Sequence, residues 1–307
     1  MVLRFSSCQA GIAEPFCVEL VNFIRDELGL PCEFVTDLSW QERERLLLRG
    51  EIHVGWICGL AYVRESARQP KLIEPLVAPV RRHPRYHAQP VYYSDVIVRA
   101  DTIYHSFADL RGRTWAYNEP RSHSGFNIVR YHLAMQGLDQ SFFRRVVQSG
   151  SHRNSLDMVL QRSVDTAAID SSVLELELAK DPAIGEQIRT VEILGPSPAP
   201  PWVVHRSVSA DVRKSLSAIL LAMNEHPKGR EILEAGGMLR FTPVSDHDYH
   251  QIREMDRIAS APYVTHPKLG SPIVSLLKNS YHPKNALSAP PRIANDCRIA
   301  CLAVWNE

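Results

Sequence analysis

The hydrophobic positions of the first 100 residues follow two alternating periods. Short apolar runs typical of buried strands, at residues 2–6, 32–35 and 51–56, are each followed by a segment with apolar residues at helical spacing. In the first such segment, residues 15–28, the apolar residues share one face, and Gly29 follows as a helix terminator. The alternation has βαβ spacing and predicts a mostly parallel sheet that is covered by helices on both faces.

A second series of strands and helices follows a long apolar strand at residues 91–98. Its strands are predicted at residues 114–117, 145–148 and 164–169, each followed by a helix. Residues 195–201 contain four prolines, and we expect no regular structure there.

The chain then returns to apolar strand and helix patterns, which predicts an α/β protein with two lobes. The first lobe is expected to contain residues 1–95 and 202–259, and the second lobe residues 98–198. The tail, residues 260–307, has several prolines and no clear periodicity, and we expect it to be partly disordered. A cleft between two lobes is a common ligand site, and hinge closure around the ligand is the usual motion.

Three consecutive strand-to-helix turns of the second lobe are rich in polar side chains. The first turn carries Ser122, His123 and Ser124, the second carries His152, and the third begins at Asp170. The first N–H groups of a helix have no backbone partner and lie at its positive end, so such turns hold anions, above all phosphate-like ones. In open α/β sheets these turns lie side by side. The alternative is that Ser122 or Ser124 only caps its helix.

Composition and charge exclude several classes of protein. The 307 residues are 45% hydrophobic and 22% charged, as in an ordinary globular protein, and the net charge is +1. This balance favours neither nucleic acid nor an anionic membrane, and there is no helix-turn-helix pattern or basic arm. No apolar run approaches the roughly 20 residues of a membrane span, so direct membrane insertion is not expected.

The cysteine pattern predicts no metal site, and we expect no cofactor. The six cysteines match no zinc spacing, and Cys17, Cys32 and Cys58 lie in apolar runs as small buried residues. Cys297 and Cys301 would face the same way on a helix, so they are either a metal pair or a chance spacing.

Over residues 2–258 the chain resembles the phosphate/phosphite/phosphonate-type substrate-binding proteins of ABC transporters, which have the type II periplasmic-binding-protein fold. The resemblance rests on the order and spacing of several short segments. They are GEIHVGW at residues 50–56, GLAY at 59–62, YYSDVIV at 92–98, ADLRG at 108–112, SHSGF at 122–126, GSH at 150–152, VDTAAID at 164–170, and Ser197-Pro198.

The resemblance implies a set of ligand-binding residues. In that family a serine-rich turn holds the phosphate or phosphonate oxygens, which implies this role for Ser122, His123 and Ser124, with His123 where threonine is common. A histidine after the next strand contacts the anion, which implies His152, and a tyrosine on the interlobe strand implies Tyr92. The aromatic residue common after the third strand is replaced by isoleucine here.

The resemblance also bears on which oxyanion is bound. Family members that bind aminoalkylphosphonates place carboxylates near the ligand ammonium, and here only Asp170 and the more distant Glu175 remain as counter-ions, while Trp202 offers an apolar or cation–π wall. An unpaired ammonium in a closed cleft is costly. We therefore expect phosphate, phosphite or a simple alkylphosphonate to be preferred over 2-aminoethylphosphonate.

The implied function is capture of a small oxyanion by a monomeric solute-binding protein that feeds an ABC permease. We expect a periplasmic or cell-envelope location if a leader was removed, and a cytoplasmic one if Met1 is the native start. The alternative is a cytosolic enzyme of cofactor-precursor biosynthesis, or a ligand sensor, on the same scaffold. A serine hydrolase is not expected, because the residue two before Ser124 is serine rather than the glycine of a nucleophile elbow.

Overall fold

Two β-sheets form the framework of the protein in the computed structural model, which describes residues 2–261. The predicted partial disorder of the tail beyond residue 261, and the Cys297–Cys301 pair, lie outside the described residues. Eleven strands are present in the described part of the chain. They are β1 Leu3–Ser7, β2 Cys32–Phe34, β3 Val54–Trp56, β4 Ile73–Arg81, β5 Val91–Arg99, β6 Thr114–Tyr117, β7 Arg145–Gln148, β8 Thr166–Asp170, β9 Ile188–Pro198, β10 Trp202–His205 and β11 Met238–Pro243.

Ten α-helices and several short 3₁₀ turns connect these strands within residues 2–261. The helices are α1 Glu14–Leu28, α2 Trp40–Leu48, α3 Gly59–Ser66, α4 Ile128–Met135, α5 His152–Leu160, α6 Ser171–Lys180, α7 Ala183–Gln187, α8 Ala210–Ala222, α9 Pro227–Ala235 and α10 His250–Ser260. Local signals set several ends: the Ser39 side chain caps α2 by accepting from the backbone of Glu42, and Gly29 ends α1 in the left-handed conformation.

The first sheet has the strand order β11-β4-β10-β3-β1-β2, and the second has the order β7-β6-β8-β5-β9. Strands β1, β2 and β3 pair in parallel, as do β6, β7 and β8, while β4, β5, β9, β10 and β11 add antiparallel pairs. Both sheets are therefore mixed, and the expectation that they are mostly parallel is wrong. Whether two strands pair in parallel depends on the path of the chain between the sheets, and the local hydrophobic pattern contains no information about that path.

One predicted irregular segment belongs to a strand. Residues 195–198 were expected to lack regular structure, but they end β9, where Ser197 pairs with Tyr92 and Pro198 pairs with Val91. Prolines are tolerated there because β9 is an edge strand and its register shifts between Tyr92 and Ser94, next to Gly195 with φ +127°. This register places the hydroxyl of Ser197 inside the protein.

Helices cover both faces of each sheet, as the sequence predicts. Helices α1, α8 and α9 pack on one face of the first sheet around Trp56 and Trp202, whose rings stack at 5.6 Å, and α2, α3 and α10 cover the other face. In the second sheet, α4 covers Trp115 on one face, and α5 and α6 cover the other.

Helix α10 connects the cores of the two sheets. Its Ile252 packs into a cluster with the first sheet, whereas Met255, one turn on, packs into a cluster with the second sheet. Residues 2–261 thus form the predicted two-lobed α/β architecture, in which each lobe is one sheet with its helices. The lobe boundaries near residues 95–98 and 198–202 stay a prediction, and β5 lies in full in the second sheet.

Candidate functional site

A cavity of about 1180 Å³ lies at the carboxyl ends of strands from both sheets. Its wall on the first-sheet side contains residues 8–12, which follow β1, and Cys58, which follows β3. The second-sheet side contributes residues that follow β6, β7 and β8. This is the edge at which ligands bind in open α/β sheets.

The loop after β6 gives the cavity its clearest anion-binding geometry. The Ser122 hydroxyl accepts a hydrogen bond from the backbone of Gly125 at 3.0 Å and caps a wide π-type turn, His123–Asn127, that leads into α4. Gly125 is required there, because a Cβ would lie 2.0 Å from Oδ1 of Asn118 and 3.2 Å from the His152 ring. The loop is therefore packed closely against the next strand-to-helix turn.

Ser124 and His152 join these two turns. The Ser124 hydroxyl lies 3.1 Å from Nε2 of His152, both side chains are buried, and both residues line the cavity. His152 is the first residue of α5, and Ser151 caps that helix by accepting from the backbone of Asn154. Burial lowers the pKa of His152, so its ring is neutral, and Nδ1 has no partner among the described residues. A neutral imidazole that donates to Ser124 leaves the hydroxyl proton free for an oxyanion.

The His123 side chain is not on the cavity wall. Its Nε2 lies 3.0 Å from the Ser197 hydroxyl and its Nδ1 lies 3.2 Å from the side-chain nitrogen of Asn127. Complete burial lowers the pKa of His123 to about 4, so the ring is neutral at physiological pH. The backbone N–H of His123 faces Cys58 across the two sheets, with a distance of 3.4 Å to Sγ. The structure thus brings His123 into the loop but turns its ring into the protein interior.

The structure places the other three predicted residues differently from one another. Tyr92 lies on β5, is buried and lines the cavity, and its ring centre is 6.3 Å from that of His123. Asp170 also lines the cavity and caps α6, because its Oδ1 accepts from the backbone and hydroxyl of Ser172 at 2.9 and 2.7 Å. Trp202 does not line it; its ring is 1% exposed in the core of the first sheet.

Several polar residues of the cavity wall were missed in the sequence. They are Asn118, Glu119, Arg153, Glu177, Lys180 and Asp181. Glu175, the counter-ion suggested by the sequence, is not on this wall, and its carboxylate accepts from the hydroxyl of Tyr86 at 2.6 Å. The premise that the cavity has few carboxylates is therefore wrong. Proximity in sequence to Ser122 and His152 was the only available signal for Glu119 and Arg153.

Among the carboxyl groups of residues 2–261 that line the cavity, Glu119 has the fewest hydrogen-bond or ion-pair partners. Its Oε2 is buried and has no hydrogen-bond partner among the described residues. Burial, followed by the negative charge of Glu44, raises the pKa of Glu119 to about 7, against the influence of Arg121. Glu177, in contrast, forms an ion pair with Arg153 at 2.7 Å. Because Glu119 lines the cavity, its carboxyl is a candidate acceptor for a donor group of the ligand.

The described residues show no arrangement for a metal ion. No group of three or more His, Cys, Asp or Glu side chains within residues 2–261 is placed to hold one. Over the same range, none of the helices combines the length and apolar character that crossing a bilayer requires.

The two-lobed fold and the polar cavity at helix starts define the class of ligand-capturing binding proteins. Residues 16–249 match the model of a family described as ABC transporter, phosphonate, periplasmic substrate-binding protein. The match covers most of the chain, which belongs to this family.

Solved structures of similar fold agree with this assignment. A binding protein component of an ABC phosphonate transporter from Pseudomonas aeruginosa superposes with a TM-score of 0.74 at 16% identity, covering 84% of this chain and 86% of that one. PhnD1 from Prochlorococcus marinus, in complex with methylphosphonate, gives a TM-score of 0.73 at 16% identity, over 83% and 97% of the two chains. An ancestral arginine-binding protein bound to arginine gives 0.55 at 16% identity, over 76% and 97%. The type II periplasmic-binding-protein fold is thereby confirmed.

Proposed function

We propose that this solute-binding protein captures a phosphonate-class oxyanion with the turn at Ser122–Ser124, supported by His152, and delivers it to an ABC permease. The observation that carries the proposal is the 3.1 Å contact between Ser124 and His152 on the cavity wall, at the starts of two helices. Backbone N–H groups at helix starts and a free hydroxyl proton are donors suited to phosphonate oxygens. The methylphosphonate complex of the Prochlorococcus marinus protein supports this ligand class.

The remaining wall residues have distinct roles in this proposal. Tyr92 closes the site from β5, and Asp170 orients the start of α6 rather than contacting the anion, because a carboxylate would repel it. In this proposal the His123 ring does not contact the anion. It contacts the Ser197 hydroxyl and so fixes the position of the loop that carries Ser122 and Ser124. Trp202 supports the wall from within the first sheet, one residue after Pro201 and two after the cavity-lining Pro200.

A ligand panel tests the proposal directly. The melting temperature is measured with phosphate, phosphite, sulfate and methylphosphonate, because a solute that binds only the folded state raises it. We expect methylphosphonate or another phosphorus oxyanion to raise it in proportion to the logarithm of its concentration. If none of the phosphorus oxyanions changes it, while isothermal titration also detects no heat, the proposed ligand class is wrong.

Closure of the two lobes around the solute follows from the same proposal. The cavity wall comes from both sheets, so a bound anion can draw the two sides together. We expect small-angle scattering to give a smaller radius of gyration with saturating methylphosphonate than without it. Identical scattering curves at proven saturation would contradict this motion.

We infer further that the protein acts by binding and not by turnover, as a monomer, in the periplasm or cell envelope. Membership in a family of periplasmic substrate-binding proteins supports the binding role and the location. Phosphorus NMR of methylphosphonate incubated with the protein is expected to show no new resonance over hours. A product signal would favour the rival function, an enzyme on the same scaffold.

A further inference from the structure

A second, smaller cavity of about 310 Å³ lies beside the first one and contains a buried arginine. Its wall is mostly apolar, with Phe16, Trp56 and Met238 from the first lobe, and Arg81 at the end of β4 is part of it. Ile12 and Pro15 line both cavities, so the two adjoin. Neither Ser124 nor His152 lines this smaller space.

Arg81 is unusual because its charge is buried without a nearby counter-ion. Arg43 and Arg81 are the two arginines classed as buried among residues 2–261, with 8% and 7% of their surface exposed. Arg43 forms an ion pair with Glu14 at 2.6 Å. Arg81 has no carboxylate within 4.0 Å in the described part of the protein, and the negative charges of Asp170 and Glu175 act on it only from longer range.

The protein provides hydrogen-bond acceptors for only some of the N–H donors of the Arg81 guanidinium. Nη1 donates to the backbone oxygen of Gly236 at 3.1 Å, at the negative end of α9, and the guanidinium carbon lies 5.9 Å from the Trp56 ring centre. A guanidinium has five N–H donors and stays charged in proteins, and a buried charge without a partner is costly. The remaining donors are therefore suited to an anion in the cavity that Arg81 lines.

From this arrangement we propose that the Arg81 cavity is a second ligand site, which binds a small carboxylate with a compact apolar body. The carboxylate pairs with the guanidinium in the two-pronged geometry that arginine favours. The apolar body fills the space between Phe16 and Met238, in a cavity of the size of small-ligand pockets. Doubly charged phosphonates are less suited, because Glu19 and Glu231 also line this wall and would repel the second negative charge, and Lys228 is the one further cation among the described residues of the wall.

Phenylacetate is the probe, and phenylacetamide, which has the same shape without the charge, is its control. Binding is followed by isothermal titration and by the NMR signals of Trp56, whose ring lines this cavity while its indole N–H donates to the backbone oxygen of Pro200. We expect phenylacetate to bind at least tenfold more tightly than phenylacetamide. The variant Arg81→Met is expected to weaken phenylacetate binding at least tenfold, whereas Arg82→Met, at the exposed neighbouring arginine, leaves it unchanged.

A second variant decides the question if Arg81→Met does not fold. Ala235 is exposed at the end of α9 and lines the cavity, so Ala235→Leu fills the space and keeps the guanidinium. It is also expected to weaken phenylacetate binding at least tenfold. The proposal is overturned if phenylacetate leaves the Trp56 signal unshifted, if the amide binds equally well, or if Ala235→Leu binds like wild type. The test does not depend on phosphonate binding, which uses the other cavity.

Discussion

The hydroxyl of Ser124 and Nε2 of His152 lie 3.1 Å apart, although 27 residues separate them in the chain. Each residue stands at the start of a helix that follows a parallel strand, and β6 and β7 pair directly. The contact therefore links two helix starts into one site. It also gives the proposed anion site its most direct test.

Removal of either partner of this contact is expected to weaken oxyanion binding. Ser124→Ala removes a donor to the anion, and His152→Ala removes the group that orients the hydroxyl. Each variant should cost about 1.5–3 kcal/mol, the range for hydrogen bonds to charged groups. Isothermal titration with methylphosphonate measures the change. Ser215→Ala and His250→Ala, at exposed positions, are the controls, and wild-type affinity in both site variants would place the anion elsewhere.

Arg121 is expected to be important for stability. Its Nη2 lies 2.8 Å from Glu44 on α2 and 2.9 Å from Glu65 on α3, and these carboxylates are 10% and 3% exposed. Within residues 2–261, Arg121→Met leaves the buried carboxylate of Glu44 without its cation and leaves Glu65 paired with Arg68 alone, at 3.1 Å. We expect a loss of about 3 kcal/mol in unfolding free energy at pH 7, at the lower end of values for broken buried pairs, because Arg121 is one-third exposed.

Urea denaturation measures this loss, and Arg25→Met is the matched control. Arg25 pairs with Asp26 where both side chains are exposed, so its replacement should cost less than about 0.5 kcal/mol. Burial raises the pKa of Glu44, so the cost of Arg121→Met should shrink at lower pH, where Glu44 takes up a proton. If Arg121→Met and Arg25→Met lose the same unfolding free energy, the ion pairs of Arg121 with Glu44 and Glu65 contribute no more to stability than an exposed pair.

The buried histidines predict a loss of stability in mild acid. The pKa of His123 falls from its ordinary 6.5 to about 4, and that of His152 is also lowered, both by burial. A depressed histidine pKa means that unfolding takes up a proton below pH 6.5. The stability that neutral His123 provides is therefore present above pH 6.5 and lost as the pH falls towards 4.

The measurement is the unfolding free energy from urea titrations at several pH values. His123→Gln should reduce the slope between pH 6.5 and 4, and His247→Gln, at an exposed histidine, is the control. If the slope is the same in wild type and His123→Gln, the pH dependence is not caused by His123.

Glu119 is expected to change stability with pH in the opposite direction. Its raised pKa gives stability that is present below pH 4.5 and lost as the pH rises through about 7.

Glu119 also changes the expected ligand preference. From the sequence, a lack of carboxylates predicts discrimination against 2-aminoethylphosphonate, but the wall contains Glu119, whose Oε2 has no hydrogen-bond partner among residues 2–261. An ammonium can pair with this group, so we expect the amino compound and methylphosphonate to bind within about tenfold of each other, or 1.4 kcal/mol. Competition titration at one pH and salt concentration measures the ratio.

The variant Glu119→Gln separates the two ligands. It should weaken 2-aminoethylphosphonate and leave methylphosphonate within about twofold, since only the former has an ammonium. Asp181→Asn, at another carboxylate of the same wall, is the control. Equal effects of Glu119→Gln on both ligands would show that the ammonium lies elsewhere.

Some features were readable in the sequence because they depend on local interactions. Strand Thr114–Tyr117, the serine-capped turn at residue 122 and the start of α5 at His152 are set by short-range hydrophobic spacing and by side chains that satisfy helix N–H groups. Because the ends of parallel strands meet at one edge of a sheet, the sequence also predicted that Ser124 and His152 come together.

Tertiary packing decided the orientation and burial of several predicted side chains, which local sequence patterns do not determine. The direction of the His123 ring depends on Ser197, 74 residues away in a strand whose prolines suggested a loop. Trp202 lies in the core because β10 is a central strand of the first sheet, stacked on Trp56. The raised pKa of Glu119 is caused by burial and by Glu44, which lies on α2 of the first lobe. The sequence by itself determined the strand ends, the helix starts and the donor-rich turns, whereas only long-range contacts determined which side chains face the ligand.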